Sequence, residues 1–457
     1  MRRVLIIAAI LLIPIVPIVL VVTGVLKKAP VTVTAVRLTV WGTEDTAANF
    51  AQLIAKYRQT RSYVTIDYVQ MRSEDYYQQL LQAWAQGTGP DVFFVPSTWI
   101  GQMSQYSIPM PADLSIPQVI VTKGVLGNNA KVVVNQKAAP SLNALQDAFV
   151  DTVTGDVVRD GQTWALPLSM DTLATYYNKD LLNNAKIFEP AKTWSDLQNQ
   201  IVSNHLTITD QNGRLAQSGV ALGTVANLPH STDLLTLLMM QNGAIMTSND
   251  KQAHFQDTPG LTALKFFLSF AQTKKVNYSW DANQPNALEA FLQGKVAYYF
   301  GSLSDRAQIA ASQLNWGVGP MLHIRQSGDN DALSNSERFI DAANYQVAMV
   351  SKASQLAGRD VYAWNFVEYS SEAGNVSAYL DPSGKLAAQK SVLVQQKDNP
   401  TLSVYAGQLL TARSWYHVNG GQTIEKYFQD LITGGLSEKN DLQELLNLAA
   451  QQVVSTL

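Results

Sequence analysis

From Val36 onward, apolar and polar positions follow a pattern whose period switches in a regular way. Val36, Leu38 and Val40 occupy every second position and run into Trp41-Gly42, which reads as a strand with one buried face. Phe50, Leu53, Ile54 and Tyr57 follow at helical spacing, and Val64, Ile66 and Tyr68 return to a period of two. Tyr77, Leu80, Leu81 and Trp84 fall on one face of a second helix, which Gly87 and Gly89 close. Asp91-Val92-Phe93-Phe94-Val95-Pro96 is an almost unbroken apolar run, the pattern of a strand covered on both faces. The order β-α-β-α-β predicts a parallel sheet with right-handed crossovers.

Residues 115–139 break this rhythm. The β-branched runs VIVT and KVVV surround Gly124, Gly127, Asn128 and Asn129, which predicts a hairpin or extended insertion. Residues 164–167 and 175–177 read as strands. Thr193 is placed to cap a helix whose stripe is Trp194, Leu197 and Ile201. Asp210-Gln211-Asn212-Gly213 predicts a turn between strands. Thr258-Pro259 opens another helix with Thr258 as its cap, and Phe266, Phe267 and Phe270 form a core stripe.

Ahead of this pattern lies a different one. Residues 4–26, VLIIAAILLIPIVPIVLVVTGVL, hold no charged side chain. At about 1.5 Å per residue they reach roughly 34 Å as a helix, enough to cross a hydrocarbon core of about 30 Å. Arg2 and Arg3 precede the run and Lys27 and Lys28 follow it, a bias that orients the amino terminus inside the cell. The expectation is an uncleaved transmembrane anchor, a linker over 27–35 and an extracytoplasmic remainder, because a cleaved signal peptide has a shorter apolar region and a small-residue cleavage site.

Composition narrows the function. The 457 residues suit two or three domains, and 46% hydrophobic with 15% charged content suits a packed chain. A net charge of −3 without long single-sign runs gives no footprint for nucleic acid and favours an uncharged ligand. With no cysteine, the chain has no disulfide, thiolate metal site, cysteine nucleophile or lipid-bearing cysteine. The chain contains no phosphate loop, H-E-x-x-H, G-x-S-x-G or G-x-G-x-x-G. Its five histidines are scattered without ligand spacing, so neither a metal nor another cofactor is expected, nor a catalytic constellation.

Several segments, in order, resemble the family 1 extracellular solute-binding proteins of ABC importers. They are Leu38-Thr39-Val40-Trp41, Gly87-Thr88-Gly89-Pro90-Asp91-Val92, and Gly161-Gln162-Thr163-Trp164-Ala165-Leu166-Pro167 with Asp171 and Tyr176-Tyr177-Asn178-Lys179-Asp180-Leu181. Lys192-Thr193-Trp194-Ser195-Asp196-Leu197, Phe291-Leu292-Gln293-Gly294-Lys295-Val296-Ala297 and Ala363-Trp364-Asn365-Phe366-Val367-Glu368-Tyr369 continue the match. The insertion at 115–139 and the missing lipid-attachment cysteine depart from the family pattern, and a transmembrane helix would replace the lipid as tether.

The resemblance implies an α/β two-lobe periplasmic-binding-protein-like fold (type II, Venus-flytrap). Lobe 1 would be residues 36–150 and 343–400, and lobe 2 residues 151–342 and 401–457. It further implies a monomer that captures a carbohydrate between the lobes and delivers it to ABC permease subunits, without chemistry on the ligand. Ligands of open α/β sheets bind beyond the carboxyl ends of the strands. A sugar needs aromatic platforms and fixed polar groups. Thr43 and Glu44 follow the first strand, while Thr98 and Trp99 follow the third. Glu44 and Asp45 have helix capping near Thr46 as their alternative role, and Trp99 a place in the core beneath the next helix. Asp171, Asn227 with His230, Ser302, Tyr345 beside Asn344, and Trp415 complete the candidate set. Leu303 stands where the family often has an aromatic. A receptor for a peptide or polyamine and a membrane-anchored enzyme of cell-wall glycan are the alternatives.

Overall fold

The computed structural model describes residues 33–124, 127–248, 251–324, 339–415 and 419–457. The expected transmembrane segment at 4–26 and most of the linker lie outside the described residues, among which no helix is long and apolar enough to cross a membrane.

The first lobe is organised by a five-stranded sheet in the order Val64–Gln70, Val36–Gly42, Val92–Pro96, Gln346–Ser351, Ser107–Ile108. The first three strands are parallel, as their alternation with helices predicts, and Gln346–Ser351 runs antiparallel to Val92–Pro96. Leu38 and Val40 are buried while Arg37 and Thr39 are less so, the signature of a strand with one core face. The helix Ala47–Arg58 covers this sheet through Phe50, Leu53 and Tyr57. Phe50 is the hub, with the rings of Tyr68, Phe94 and Tyr379 at 4.5, 5.6 and 4.9 Å.

The G-T-G-P-D segment is a structural corner. Gly87, at φ +71°, ends the helix Tyr76–Ala85 in the left-handed region. A Cβ on Gly89 would lie 2.0 Å from Trp84 Cδ1, so the backbone rests directly on that indole. Asp91 is buried and accepts the Thr39 amide at 3.0 Å and Arg359 Nε at 2.8 Å. It ties two strands and a helix to one carboxylate.

The second lobe holds another five-stranded sheet, in the order Ile208–Thr209, Leu215–Val220, Val296–Gly301, Ala174–Asn178, Trp316–Gly319. Every residue of Val296–Gly301 is buried, as a central strand requires. Helices Ser231–Gln241 and Thr258–Ser269 pack on one another here, and Phe267 and Phe270 are fully buried. In the Y-Y-N-K-D segment, Tyr176 bonds the Ser302 carbonyl at 2.8 Å and the Tyr405 hydroxyl, while Asn178 caps the helix Lys179–Asn184.

Between the sheets the chain crosses in short paired segments. Leu166 and Ala348 exchange backbone bonds of 3.1 and 2.9 Å, and Asp171 and Asn344 exchange bonds of 2.7 and 2.9 Å. Asp341–Ala342 pairs in parallel with Ala412–Arg413, and Ser169–Met170 pairs with Leu386–Ala387.

Several local expectations hold. The 115–139 insertion is a hairpin, Pro117–Gly124 against Gly127–Val134, tied down by Val119 N–H to the Thr60 carbonyl at 2.6 Å. Thr193 and Asp196 form a reciprocal capping box. Others are corrected. The strand expected at 164–167 reduces to the single bridge at Leu166, because Pro167 has no N–H and the chain is already leaving the sheet. Asp257, not Thr258, occupies the N-cap position of Thr258–Ser269, without a side-chain capping bond, and Pro259 lies in the first turn as expected.

Candidate functional site

A cleft opens between the lobes over the crossing segments, at the carboxyl ends of the first and third strands. It has two contiguous halves, of about 590 and 450 Å3, both lined by His230, Asn344 and Tyr345. The larger half adds Glu44, Asp171, Ser302, Leu303, Arg306 and Lys385. The smaller adds Thr98, Trp99, Asp233, Trp415 and Glu425.

On the first-lobe wall, Gln346 donates to Thr43 Oγ1 at 3.2 Å and Glu44 Oε1 at 2.8 Å, which fixes the loop after the first strand. Glu44 and Asp45 do not cap the following helix, since Thr46 does so with Asn49. Both acids instead hold Lys385, each at 3.1 Å. Burial pulls the Lys385 ammonium down, but Tyr379, Glu44 and Asp45 outweigh it and hold it well above its ordinary value. Thr98 and Trp99 lie in the turn Ser97–Trp99. Trp99 is only 9% exposed and packs edge-on against Tyr77 at 5.9 Å, so most of its ring belongs to the core.

On the second-lobe wall, Asp171 Oδ1 accepts the amides of Thr172 at 2.8 Å and Leu303 at 3.2 Å. Burial nevertheless pushes its carboxyl up to about 6, against those bonds and the nearby His230. Ser302 presents its hydroxyl beside that of Ser304, 2.6 Å away. His230 precedes the helix Ser231–Gln241 with φ +58°, a strained conformation for a residue with a side chain, held at the centre of the cleft. Its Nδ1 lies 3.2 Å from Asp233 Oδ2. Burial lowers the imidazole pKa, but Asp233, Asp305 and Asp171 outweigh this and raise it.

On the floor, Tyr345 is buried with its hydroxyl bonded to Asp156 and its backbone at the junction of both halves. Trp415 lines the smaller half, edge-on to Phe428 at 5.3 Å.

Of the candidates, Thr43 sits behind Glu44 and touches the cleft through Gln346, and Asn227 is drawn away from it. The Asn227 oxygen accepts from Thr224 and Trp280, and its nitrogen donates to the carbonyls of Asp281 and Gln284, which closes the loop beneath His230. The other seven line one half or the other. Sequence reasoning missed Arg306 and Lys385. Neither carries a periodic signal, and Lys385 meets Glu44 from 341 positions away. Among the described residues, no three His, Asp or Glu side chains are placed to hold a metal.

The sequence pattern of the bacterial extracellular solute-binding protein family matches residues 41–376, most of the chain. The chain belongs to that family. This solute-binding protein is similar in sequence to the maltodextrin-binding protein MdxE of Bacillus subtilis (strain 168). The two are 22% identical over 313 residues, 67% of this chain and 70% of MdxE. The cyclic alpha-maltosyl-1,6-maltose binding protein from Arthrobacter globiformis superposes with a TM-score of 0.70 at 18% identity, covering 92% of this chain and 98% of its own. An ABC transporter solute-binding protein from Thermotoga lettingae, bound with α-D-tagatose, superposes with 0.65 at 16% identity over 92% and 99%. These likenesses establish the two-lobe α/β fold, and the cleft described above lies between the two lobes.

Proposed function

We propose that this solute-binding protein captures a sugar or oligosaccharide in the interlobe cleft and presents it to the permease of an ABC importer. The carrying observation is that both lobes and the crossing segments contribute polar groups to one continuous groove. Glu44 and Thr98 come from one side, Asp171, Ser302 and His230 from the other, and Asn344 and Tyr345 from the floor. Hydroxyls, amides and carboxylates at fixed positions suit a polyhydroxylated ligand. The carbohydrates named for MdxE and the two structural relatives support the same class.

In this reading the lobes, residues 36–150 with 343–400 and residues 151–342 with 401–457, hinge on the paired segments around 166–171, 341–346 and 412–413. Residues 4–26 anchor the chain with its bulk outside the membrane, and it acts as a monomer without catalytic turnover. A thermal-shift screen of the full-length chain against mono- and oligosaccharides tests the ligand class. A specific ligand at about 100 times its Kd stabilises the folded state by about 2.7 kcal/mol, which shifts Tm by a few degrees. A panel of sugars that leaves Tm unmoved, with peptides or polyamines raising it, would refute the assignment.

A further inference from the structure

We infer that the larger half of the cleft is built for a saccharide bearing a carboxylate, a hexuronic acid residue, and that Arg306 selects for the charge. This deepens the sugar-binding reading and rests on it. Arg306 begins the short helix Arg306–Ala311 and faces the 590 Å3 cavity. Its guanidinium lies over the indole of Trp316, with 5.3 Å from Cζ to the ring centroid. Stacking of this kind fixes the plane of the guanidinium fork. Its Nε is buried without a hydrogen-bond acceptor, and no carboxylate among the described residues forms an ion pair with it.

The other cation of the same cavity is in the opposite situation. Lys385 is held by both Glu44 and Asp45, so its charge is neutralised within the protein. The acid beside Arg306 in sequence and a second that lines the same cavity both have other donors. Asp305 accepts from the Tyr299 hydroxyl at 2.9 Å and the Ser302 amide at 3.1 Å, and Asp171 from two backbone amides. One guanidinium therefore enters the cavity oriented, partly desolvated and unpaired. A buried donor without an acceptor is unfavourable until something supplies one. A sugar hydroxyl can accept one bond but leaves the charge uncompensated, whereas a carboxylate matches the planar fork with two oxygens. The hydroxyls of Ser304 and Thr401 and the amide of Asn344 line the same space for the remaining hydroxyls of the ring. The near-zero net charge of the chain does not oppose this, because an excess charge at one subsite is invisible in the total.

Isothermal titration of the full-length chain in mild detergent decides the matter, with paired neutral and acidic saccharides as probes. Galactobiose against digalacturonate and cellobiose against cellobiouronate are two such pairs, with a maltodextrin alongside. We expect the acidic member of one pair to bind about 10- to 100-fold tighter, the worth of a charged hydrogen-bonded contact. Arg306→Gln should remove most of that preference, and Arg306→Lys should restore part of it. Should Arg306→Gln fail to fold, the wild type still answers, since affinity for the acidic member must fall with added salt while the neutral one holds. Neutral saccharides bound as tightly as acidic ones, or losing equally in Arg306→Gln, would overturn the inference and leave the sugar-binding reading intact. Binding of no saccharide of either kind would overturn both.

Discussion

At the residue scale, the cleft shows how burial sets the charge of single groups. Asp341, in the crossing strand Asp341–Ala342, is 6% exposed, and the hydrogen bond it accepts from Thr411 Oγ1 at 2.7 Å does not offset desolvation. Its carboxyl is pushed up to about 6 from its ordinary value near 4. The folded state therefore holds a proton there that the unfolded chain has already lost, and stability must fall as pH rises from about 4 to 6. The loss from this group is on the order of 1–3 kcal/mol. Urea unfolding of Asp341→Asn from pH 4 to pH 7 should show a flatter profile than the wild type, and an unchanged slope would remove Asp341 as its source. Trp99 makes a different point. Its type and position suit a stacking platform, but an edge-on Tyr77 and the core enclose most of the ring. Asn227 likewise has the chemistry of a ligand contact, yet its hydrogen bonds stay inside its own loop.

At the element scale, motif glycines and caps explain why the resemblance is legible. Gly87 and Gly89 before Asp91, the Thr193–Asp196 capping box and Asn178 at its helix N-terminus are local devices, readable from a few adjacent residues. The helix Gly421–Gly435 carries a less visible one. It packs mainly within the second lobe, but a Cβ at Gly421 would lie 2.6 Å from both the Thr98 carbonyl oxygen and Trp99 Cδ1 of the first. The missing side chain lets the two lobes touch along this edge of the cleft. Gly421→Val should wedge them apart and weaken ligand binding by about tenfold or more, because a rigid backbone oxygen cannot yield as a flexible side chain would. Small-angle scattering with ligand should show the variant remaining larger than the wild type. Equal radii and equal affinity would mean the edge contact has no part in closure.

At the scale of the whole molecule, a binding protein works only if its ligand prefers one arrangement of the lobes. Moving that equilibrium from about 1:99 to 99:1 takes roughly 5.5 kcal/mol of differential affinity, more than contacts on a single wall are expected to supply. Groups on both walls and on the floor, from Glu44 to Asp171 to Asn344, line the same cavity, where the proposed ligand would touch them together. The paired crossing segments are short, so rotation there disturbs few backbone bonds. A specific saccharide should therefore reduce the radius of gyration in solution at saturation, and a bound chain with an unaltered scattering curve would argue against closure as the mechanism.

The sequence by itself determined the elements, the parallel order of the first sheet, the hairpin insertion and the family, because each of these is written in neighbouring residues or in period. Together with the family resemblance it also placed seven of nine candidate residues along the groove, Glu44, Thr98, Trp99 and Ser302 among them because strand ends are where such sheets open. What only the tertiary structure decided is which way those side chains turn and what meets them. Thr43 and Asn227 were taken up by bonds within the protein, Trp99 mostly by the core, and Lys385 was brought to Glu44 from the far end of the chain. Arg306 gained its meaning only when Trp316 fixed it and, among the described residues, no carboxylate paired with it. Pairing and desolvation are properties of distance in space, and no local pattern along a chain encodes them.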